Sequence, residues 1–330
     1  MKSLIRALFG YAKKRVHASR SLRSLLYDNA NVNQFSDLEY HEVMLADRIR
    51  VDAYHAAIVN AVRPGDVVID LGTGTGILAM FAARAGARKV YAIEHGDVID
   101  VARAVAAANG ISNIEFIRAN SRDFSVSERA DVIVHEQIGS YLFDENMVEN
   151  LLDLKSRALK SGGRILPARF QFLVEPVQLK PDHRLPFSWE APIHGIDFTA
   201  LKADDVALRQ RRGRGKRFIA NGAIEHYVCD PQPLCEFDLD TITDPSEIPT
   251  SFRQSRMVVN SGRIDGLSVF FRASLGNGLS IDNALDSPNT NWTYPLVRLP
   301  AREVTPGDVL TLTLEMESHR NADTWKFQLS

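Results

Sequence analysis

The sequence predicts a chain of two parts, an α/β unit built on a doubly wound parallel sheet and then a β-rich half. Three observations predict it. From Asp66 to Glu136 short β-branched runs alternate with segments of helical period, the pattern of parallel strands joined by crossover helices. The first run closes in Asp70-Leu71-Gly72-Thr73-Gly74-Thr75-Gly76 and opens straight into a helix, so the backbone there is free to approach a ligand. Beyond Pro167 the helical period gives way to alternation broken by turn clusters, which reads as antiparallel strands.

Taken in order, the first residues stand apart. Lys2, Arg6, Lys13, Lys14, Arg15, Arg20 and Arg23 all precede the first acid, Asp28. A solvated amphipathic helix with Leu4, Ile5 and Leu8 on its buried face is favoured over a targeting peptide or a membrane-surface helix, since no A-x-A-like signature follows. The four strand runs are Val67-Val68-Ile69-Asp70, Val90 to Glu94, Ile114 to Ile117 and Val132 to Glu136. Helices are expected over Ile77 to Ala87, closed near Gly86, over Asp97 to Asn109, closed by Gly110, and over Asn146 to Lys160, stopped by Ser161-Gly162-Gly163. The alternating runs Phe170 to Val174, Leu267 to Phe271 and Val309 to Leu314 follow. One stretch, Pro181 to Gln210 with Trp189 and Phe198, fits neither pattern and reads as an arm or lid.

Composition narrows the class. With 330 residues, 45% hydrophobic and 24% charged, the chain is neither disordered nor collagen-like, and it is long enough for two domains. Thirty-nine Lys and Arg against 41 Asp and Glu leave a net charge of -2, which gives no global pull toward nucleic acid or an anionic membrane. Cys229 and Cys235 form no metal-type or redox pattern, so reduced thiols and a cytoplasmic location are expected, with no metal site. No window approaches the roughly 18 consecutive apolar residues of a membrane span. The run Arg209 to Arg217 is the strongest local charge feature; a solvated loop is favoured over a patch for an acidic partner or nucleic acid.

The residues that carry chemistry sit at strand ends. A dinucleotide fingerprint needs glycine where this chain has Ile77, so an NAD site is the weakest reading. Glu94 closes the second run, where a carboxylate accepts hydrogen bonds from both ribose hydroxyls. Glu136 closes the fourth, and Glu145 follows after a loop holding Gly139; such a loop can bring two carboxylates to one cation, although two acids nine positions apart are more often unrelated surface groups, and the strand-end place of Glu136 favours the first.

These segments, Val67 to Ala87, Glu94 and the loop from Glu136 to Glu145, resemble the protein arginine methyltransferase family of S-adenosylmethionine enzymes, whose paired glutamates clamp a guanidinium. Upstream, His41-Glu42-x-Met44-Leu45-x-Asp47-x-x-Arg50-x-x-x-Tyr54 is similar to the family's segment that folds over the cofactor. Downstream, His194 to Phe198 resembles the dimerisation arm, and Ser287 to Trp292 resembles the Thr-His-Trp loop. The resemblance covers the chain from about Asp28 onward. It implies a helical segment over 1–47 that covers the cofactor, a Rossmann-like S-adenosylmethionine domain over 48–167, and a β-barrel-like substrate domain over 168–330 with an arm at about 181–210.

It also implies site residues. Glu136 and Glu145 are the catalytic pair. His41, Arg50, Asp70, Gly72, Gly74, Glu94, Ser121 and Asp123 are the cofactor set, with Arg50 on the methionine carboxylate, although His41 read alone is equally a packing histidine. Met44, Met147, Asn291 and Trp292 belong to the substrate pocket. Departures from the family pattern cluster on the acceptor side. Asn31 to Phe35 lack the two tyrosine hydroxyls, Asn291 replaces a histidine that would pair with Asp47, and Gln137 and Ser140 replace Trp and Tyr, which would open or polarise the pocket wall.

The expected reaction is methyl transfer from S-adenosylmethionine to a guanidino nitrogen of arginine. The two glutamates would localise charge on the guanidinium and aim one nitrogen at the methyl, with Glu145, or solvent through it, favoured as proton acceptor. The acceptor is arginine in a protein or peptide, or free arginine; the alternatives are another small guanidino or amine metabolite, or a non-catalytic scaffold. A homodimer is expected, with neither membrane nor nucleic acid as partner. The Arg-Gly content of residues 209–217 resembles methylation substrates and points to automethylation.

Overall fold

The computed structural model describes residues 37–143, 145–203, 216–288 and 290–330. The amphipathic segment expected around Leu4 to Leu8, the substitutions at Asn31 to Phe35, and residues 204–215 of the arm and basic run lie outside the described residues. Two short helices lead in: α1 (Leu38–Ala46) and α2 (Arg48–Ala61). Asp47 breaks the run between them with non-helical dihedrals, and its carboxylate accepts from the backbone of Arg50 as the cap of α2.

A five-stranded parallel sheet follows. It contains β1 (Val67–Leu71), β2 (Lys89–Glu94), β3 (Ile114–Arg118), β4 (Ala130–His135) and β5 (Leu159–Leu166), in the spatial order β3-β2-β1-β4-β5. Every residue of β1 is buried, as a strand covered on both faces must be. The crossovers are α3 (Ile77–Arg84), α4 (Ile99–Ala108) and α5 (Met147–Ala158). β1 is flanked by β2 on one side and β4 on the other, so the connections turn outward from it and a crevice opens at its carboxyl end.

One expectation is corrected. Residues from Leu159 onward were expected to close a helix and stop at Gly162-Gly163, yet the helix ends at Ala158 and the chain becomes β5 at once. Pairing decides this: Arg164, Ile165 and Leu166 lie beside Val132, Ile133 and Val134 in parallel register, and Gly162, at φ 75, lies where that register shifts after Leu159.

The second half is antiparallel throughout. Its long strands are β6 (Arg169–Leu179), β11 (Gly262–Gly276) and β13 (Tyr294–Val304). They form a seven-stranded sheet with β7 (Lys216–Ile219), β8 (Ile224–Tyr227), β9 (Pro233–Asp238) and β12 (Leu279–Asp282). A second sheet holds β10 (Ser251–Met257), β14 (Val309–Glu315) and β15 (Lys326–Leu329). The barrel-like half is thus two antiparallel sheets, tied where Cys229 bridges Val258. The buried pair Glu175 and Arg256 links β6 to β10.

One apolar core runs through both halves, from Ile69 and Ile133 in the parallel sheet to Phe172 and Trp325 in the antiparallel part. Phe143, on the loop after β4, packs on Phe172 and stacks on Phe237 at centroid distances of 5.3 and 5.7 Å, which moors that loop to the second half. In the arm, Ile193 and Ile196 exchange backbone hydrogen bonds of 3.0 Å around His194-Gly195, both at positive φ. The root of the arm is held by Arg298, which donates to Leu185 O at 2.6 Å and covers the Phe187 ring.

Candidate active site

The glycine turn after β1 is held from behind by Asp70. Its Oδ2 accepts from Thr73 Oγ1 at 2.6 Å and from the Ala79 amide at 2.9 Å, so one carboxylate ties the turn to the first turn of α3. Burial lifts the Asp70 carboxyl to about 7. Gly74 is where glycine is required: φ is +52, and a Cβ would stand 2.9 Å from Cε1 of the His41 ring. The histidine on α1 therefore seats directly on the turn. The Gly74 amide donates to Glu94 Oε2 at 3.2 Å, while the amides of His95 and Gly96 donate to Oε1 at 2.8 and 2.9 Å. Three backbone donors fix the Glu94 carboxylate at the end of β2.

The acidic loop begins where β4 ends. Glu136 Oε2 meets Arg50 Nη1 at 3.4 Å, and Arg50 Nη2 donates to Met44 O at 2.8 Å. The same guanidinium lies 5.2 Å from the Trp292 ring centroid and 4.0 Å from Asp47 Oδ2. Burial raises the Glu136 carboxyl to about 7, with Arg50 opposing the shift and Asp47 adding to it. The second half grips the loop at two points: Trp292 Nε1 donates to Ile138 O at 2.7 Å, and the Ser140 and Thr293 hydroxyls meet at 3.3 Å. Leu142 and Asn146 take positive φ, which folds the loop back so that Glu145 reaches the same cavity as Glu136.

That cavity, of about 150 Å³, gathers His41, Met44, Arg50, Gly72, Gly74, Glu94, Ser121, Glu136 and Glu145. Five other residues of the sequence-derived set stand elsewhere. Asp70 lies behind the turn. Asp123 is exposed at the end of the turn Ser121–Asp123, and Asn120, Ser121 and Arg122 line the cavity in its place. Met147 is fully buried as the first residue of α5. Asn291 and Trp292 act as a strap: the Asn291 amide donates to Asp47 Oδ2 at 2.9 Å and its Nδ2 to Val43 O at 2.5 Å, which pins the α1–α2 corner over the cavity.

Sequence reasoning missed Thr73, Asn120 and the role of Tyr54, whose hydroxyl donates to His135 O at 3.0 Å and steadies the end of β4. Asn120 was findable, since it directly follows the third strand at the carboxyl edge where ligands bind. The set fits a nucleoside joined to an amino acid. Glu94 at the end of β2, the glycine turn and Arg50 all line the cavity, residue types able to accept from a diol, to admit a ligand closely and to pair with a carboxylate.

Residues 52–167 match a family model described as Ribosomal protein L11 methyltransferase (PrmA). The protein arginine N-methyltransferase PRMT10 of Oryza sativa subsp. japonica is 39% identical over 323 residues, covering 88% of this chain and 84% of that protein. The chain belongs to the protein arginine N-methyltransferase family. Protein arginine N-methyltransferase 6 of Danio rerio is 32% identical over 239 residues, 71% of this chain and 66% of its own. Against that protein and its rice and Arabidopsis thaliana counterparts, the matched part spans 41% to 66% of their length.

Among solved structures, protein arginine methyltransferase 10 of Arabidopsis thaliana superposes with a TM-score of 0.74 at 26% identity, covering 90% of this chain and 93% of that one. The Trypanosoma brucei PRMT1 enzyme-prozyme heterotetrameric complex with AdoHcy gives 0.75 at 24% identity, with 89% and 93% covered, a likeness of fold. Of the two departures expected in the pocket wall, Gln137 lines the cavity, while the Ser140 hydroxyl meets that of Thr293.

Proposed function

We propose that this protein is an S-adenosylmethionine-dependent N-methyltransferase acting on a guanidino nitrogen of arginine in a polypeptide. The observation that carries it is the convergence, on one cavity, of Glu136 and Glu145 with Glu94, the glycine turn and Arg50. S-adenosylmethionine supplies a methyl on a sulfonium. Glu94 would hold its ribose, Arg50 its carboxylate, and Asn120 with Ser121 would border its base.

The chain's own work is on the acceptor. A guanidinium has five donors in a planar fork and cannot lose its proton unaided near neutral pH. Glu136 and Glu145 hold it by charge-assisted bonds, draw positive charge onto the nitrogens they face and leave the remaining nitrogen to attack. As the C–N bond forms and the S–C bond breaks, that nitrogen must release one proton. That proton goes to one of the two glutamates, Glu145 or solvent through it being the favoured acceptor; burial raises the Glu136 carboxyl to about 7, which keeps it within range of the same role. Arg50 Nη1 meets Glu136 Oε2, a contact that orients the carboxylate and opposes the upward shift that burial gives it. Glu136→Gln should bind S-adenosylhomocysteine as the wild type does and lose methylation by at least about a thousandfold, the scale for removing a catalytic acid–base group together with its charge. Near-normal turnover by this variant would remove the mechanism.

The dimer is part of the same proposal. Ile193 and Ile196 at the tip of the arm are 49% and 63% exposed, and Leu38, Val43 and Ile49 on α1 and α2 are also bare, an apolar pairing suited to the arm of one protomer and the helices of its partner. Light scattering of Ile196→Asp should show a monomer where the wild type shows a dimer; a wild-type monomer refutes it.

A further inference from the structure

A second cavity, of about 40 Å³, lies at the root of the arm and shares no residue with the first. Its charged walls come from four places: His183 and Glu190 on the arm, Arg217 on β7, Arg263 and Asp265 on β11, and Arg298 on β13. Register sets two of the arginines together. Arg217 stands opposite Leu296 in the antiparallel pairing of β7 with β13, so Arg298, two residues further on, projects from the same face on the diagonal.

The acids of the cavity are engaged by other arginines. Asp265 Oδ1 accepts from Arg263 Nε at 2.7 Å and its Oδ2 lies 3.4 Å from Arg184 Nε, while Glu190 Oε2 lies 3.7 Å from Arg263 Nη2. Arg184 and Arg263 thus balance both carboxylates. Arg298 donates to Leu185 O and covers Phe187, and neither it nor Arg217 has a carboxylate within 4 Å among the described residues. Burial and the nearby Arg217 push the half-buried Arg298 below its usual pKa, with Glu190 opposing. Two positive charges are therefore left facing one small cavity.

We propose that this cavity binds a phosphate group, free or as a monoester, between Arg217 and Arg298, with His183 as a further donor. A phosphate carries up to two negative charges near neutral pH, which matches the surplus, and its oxygens suit guanidinium forks. Once bound, it joins the arm to β7 and β13, and it gives a role to the last residue of the basic run at 209–217. No part of this rests on the catalytic reading.

Titration calorimetry on the full chain at constant ionic strength tests it, with inorganic phosphate, phenyl phosphate and acetate as probes. One phosphate or phenyl phosphate should bind per chain, the tighter of the two naming the source, and acetate should bind at least about tenfold more weakly. Arg217→Gln, at an exposed position, should weaken both phosphate probes by about tenfold to a hundredfold, the range for a hydrogen bond to a charged group. Arg253→Gln, which removes an exposed arginine of β10, should leave them unchanged. Absence of saturable phosphate binding by the wild type overturns the proposal, as does binding that Arg217→Gln leaves intact. Equal losses in Arg217→Gln and Arg253→Gln would assign the effect to overall charge and overturn it too. Acetate bound as tightly as phosphate would overturn the choice of ligand.

Discussion

Replacing Gly74 with alanine tests whether α1 is seated on the glycine turn. Two costs can be worked from the structure. The backbone at φ +52 is left-handed, and an L side chain there costs about 1 to 2 kcal/mol. The new methyl would also stand 2.9 Å from Cε1 and 3.1 Å from Nδ1 of His41, closer than carbon and ring atoms tolerate, so the buried ring must shift from its seat on the turn. Gly110→Ala separates the two effects, since Gly110 has φ +66 with nothing within 4 Å of its added methyl. Both variants should lose a few degrees in Tm from the shared backbone cost. Only Gly74→Ala should also lose affinity for S-adenosylhomocysteine, by tenfold or more, equivalent to about 1.4 kcal/mol. Calorimetry on the two variants decides it. If Gly74→Ala binds as tightly as Gly110→Ala, His41 does not cover the turn and the reasoning fails.

The remaining predictions concern charge. Glu136 must be ionised to hold a guanidinium, and its carboxyl titrates near 7 in the free protein, so kcat/KM should fall about tenfold per pH unit below 7 and level off above it; a flat profile from pH 5.5 to 8 contradicts this. The linked stability runs the other way. From 4.5 to about 7 the native state binds the Glu136 proton more tightly than the unfolded chain does, so stability declines as pH rises through that window, and Glu136→Gln should lessen the decline in urea titrations, the remainder coming from Asp70 and Glu175, whose carboxyls burial also lifts to about 7. In the second half, Arg256 donates to Glu175, which is fully buried with Oε2 unpartnered. Arg256→Met should therefore cost about 3 to 5 kcal/mol, and the double change Glu175→Gln with Arg256→Met should recover much of it; a single-variant loss under about 1 kcal/mol would show that the pair carries little.

What the sequence disclosed follows from where its signals lie. The runs ending in Asp70, Glu94 and Glu136 are short, β-branched and bounded by helix-period segments, so their carboxyl ends, and with them the crevice, were readable directly. β5 was not, because Gly162 and Gly163 read as a stop, and only the pairing of Leu159 before them and Arg164 to Leu166 after them with β4 carries the strand through. Local geometry that spacing does not encode accounts for other differences. Met147 stands two residues past Glu145, yet the left-handed Asn146 turns it into the core as the first residue of α5. The short turn after Asn120 points Ser121 toward the cavity and leaves Asp123 in solvent. Asn291 looked like the loss of a titratable partner for Asp47; the backbone amide at that position makes the contact, and the side chain reaches α1 instead. Contacts of this kind join residues far apart in the chain, and no periodicity announces them.

The most direct test of the central claim is mass spectrometry on purified protein given S-adenosylmethionine with an arginine-rich peptide, with free arginine, or alone. The account predicts methylated arginine in the peptide, one S-adenosylhomocysteine for each methyl gained, and no peptide methylation by Glu136→Gln. S-adenosylmethionine that binds while arginine remains unmodified in every mixture would contradict it.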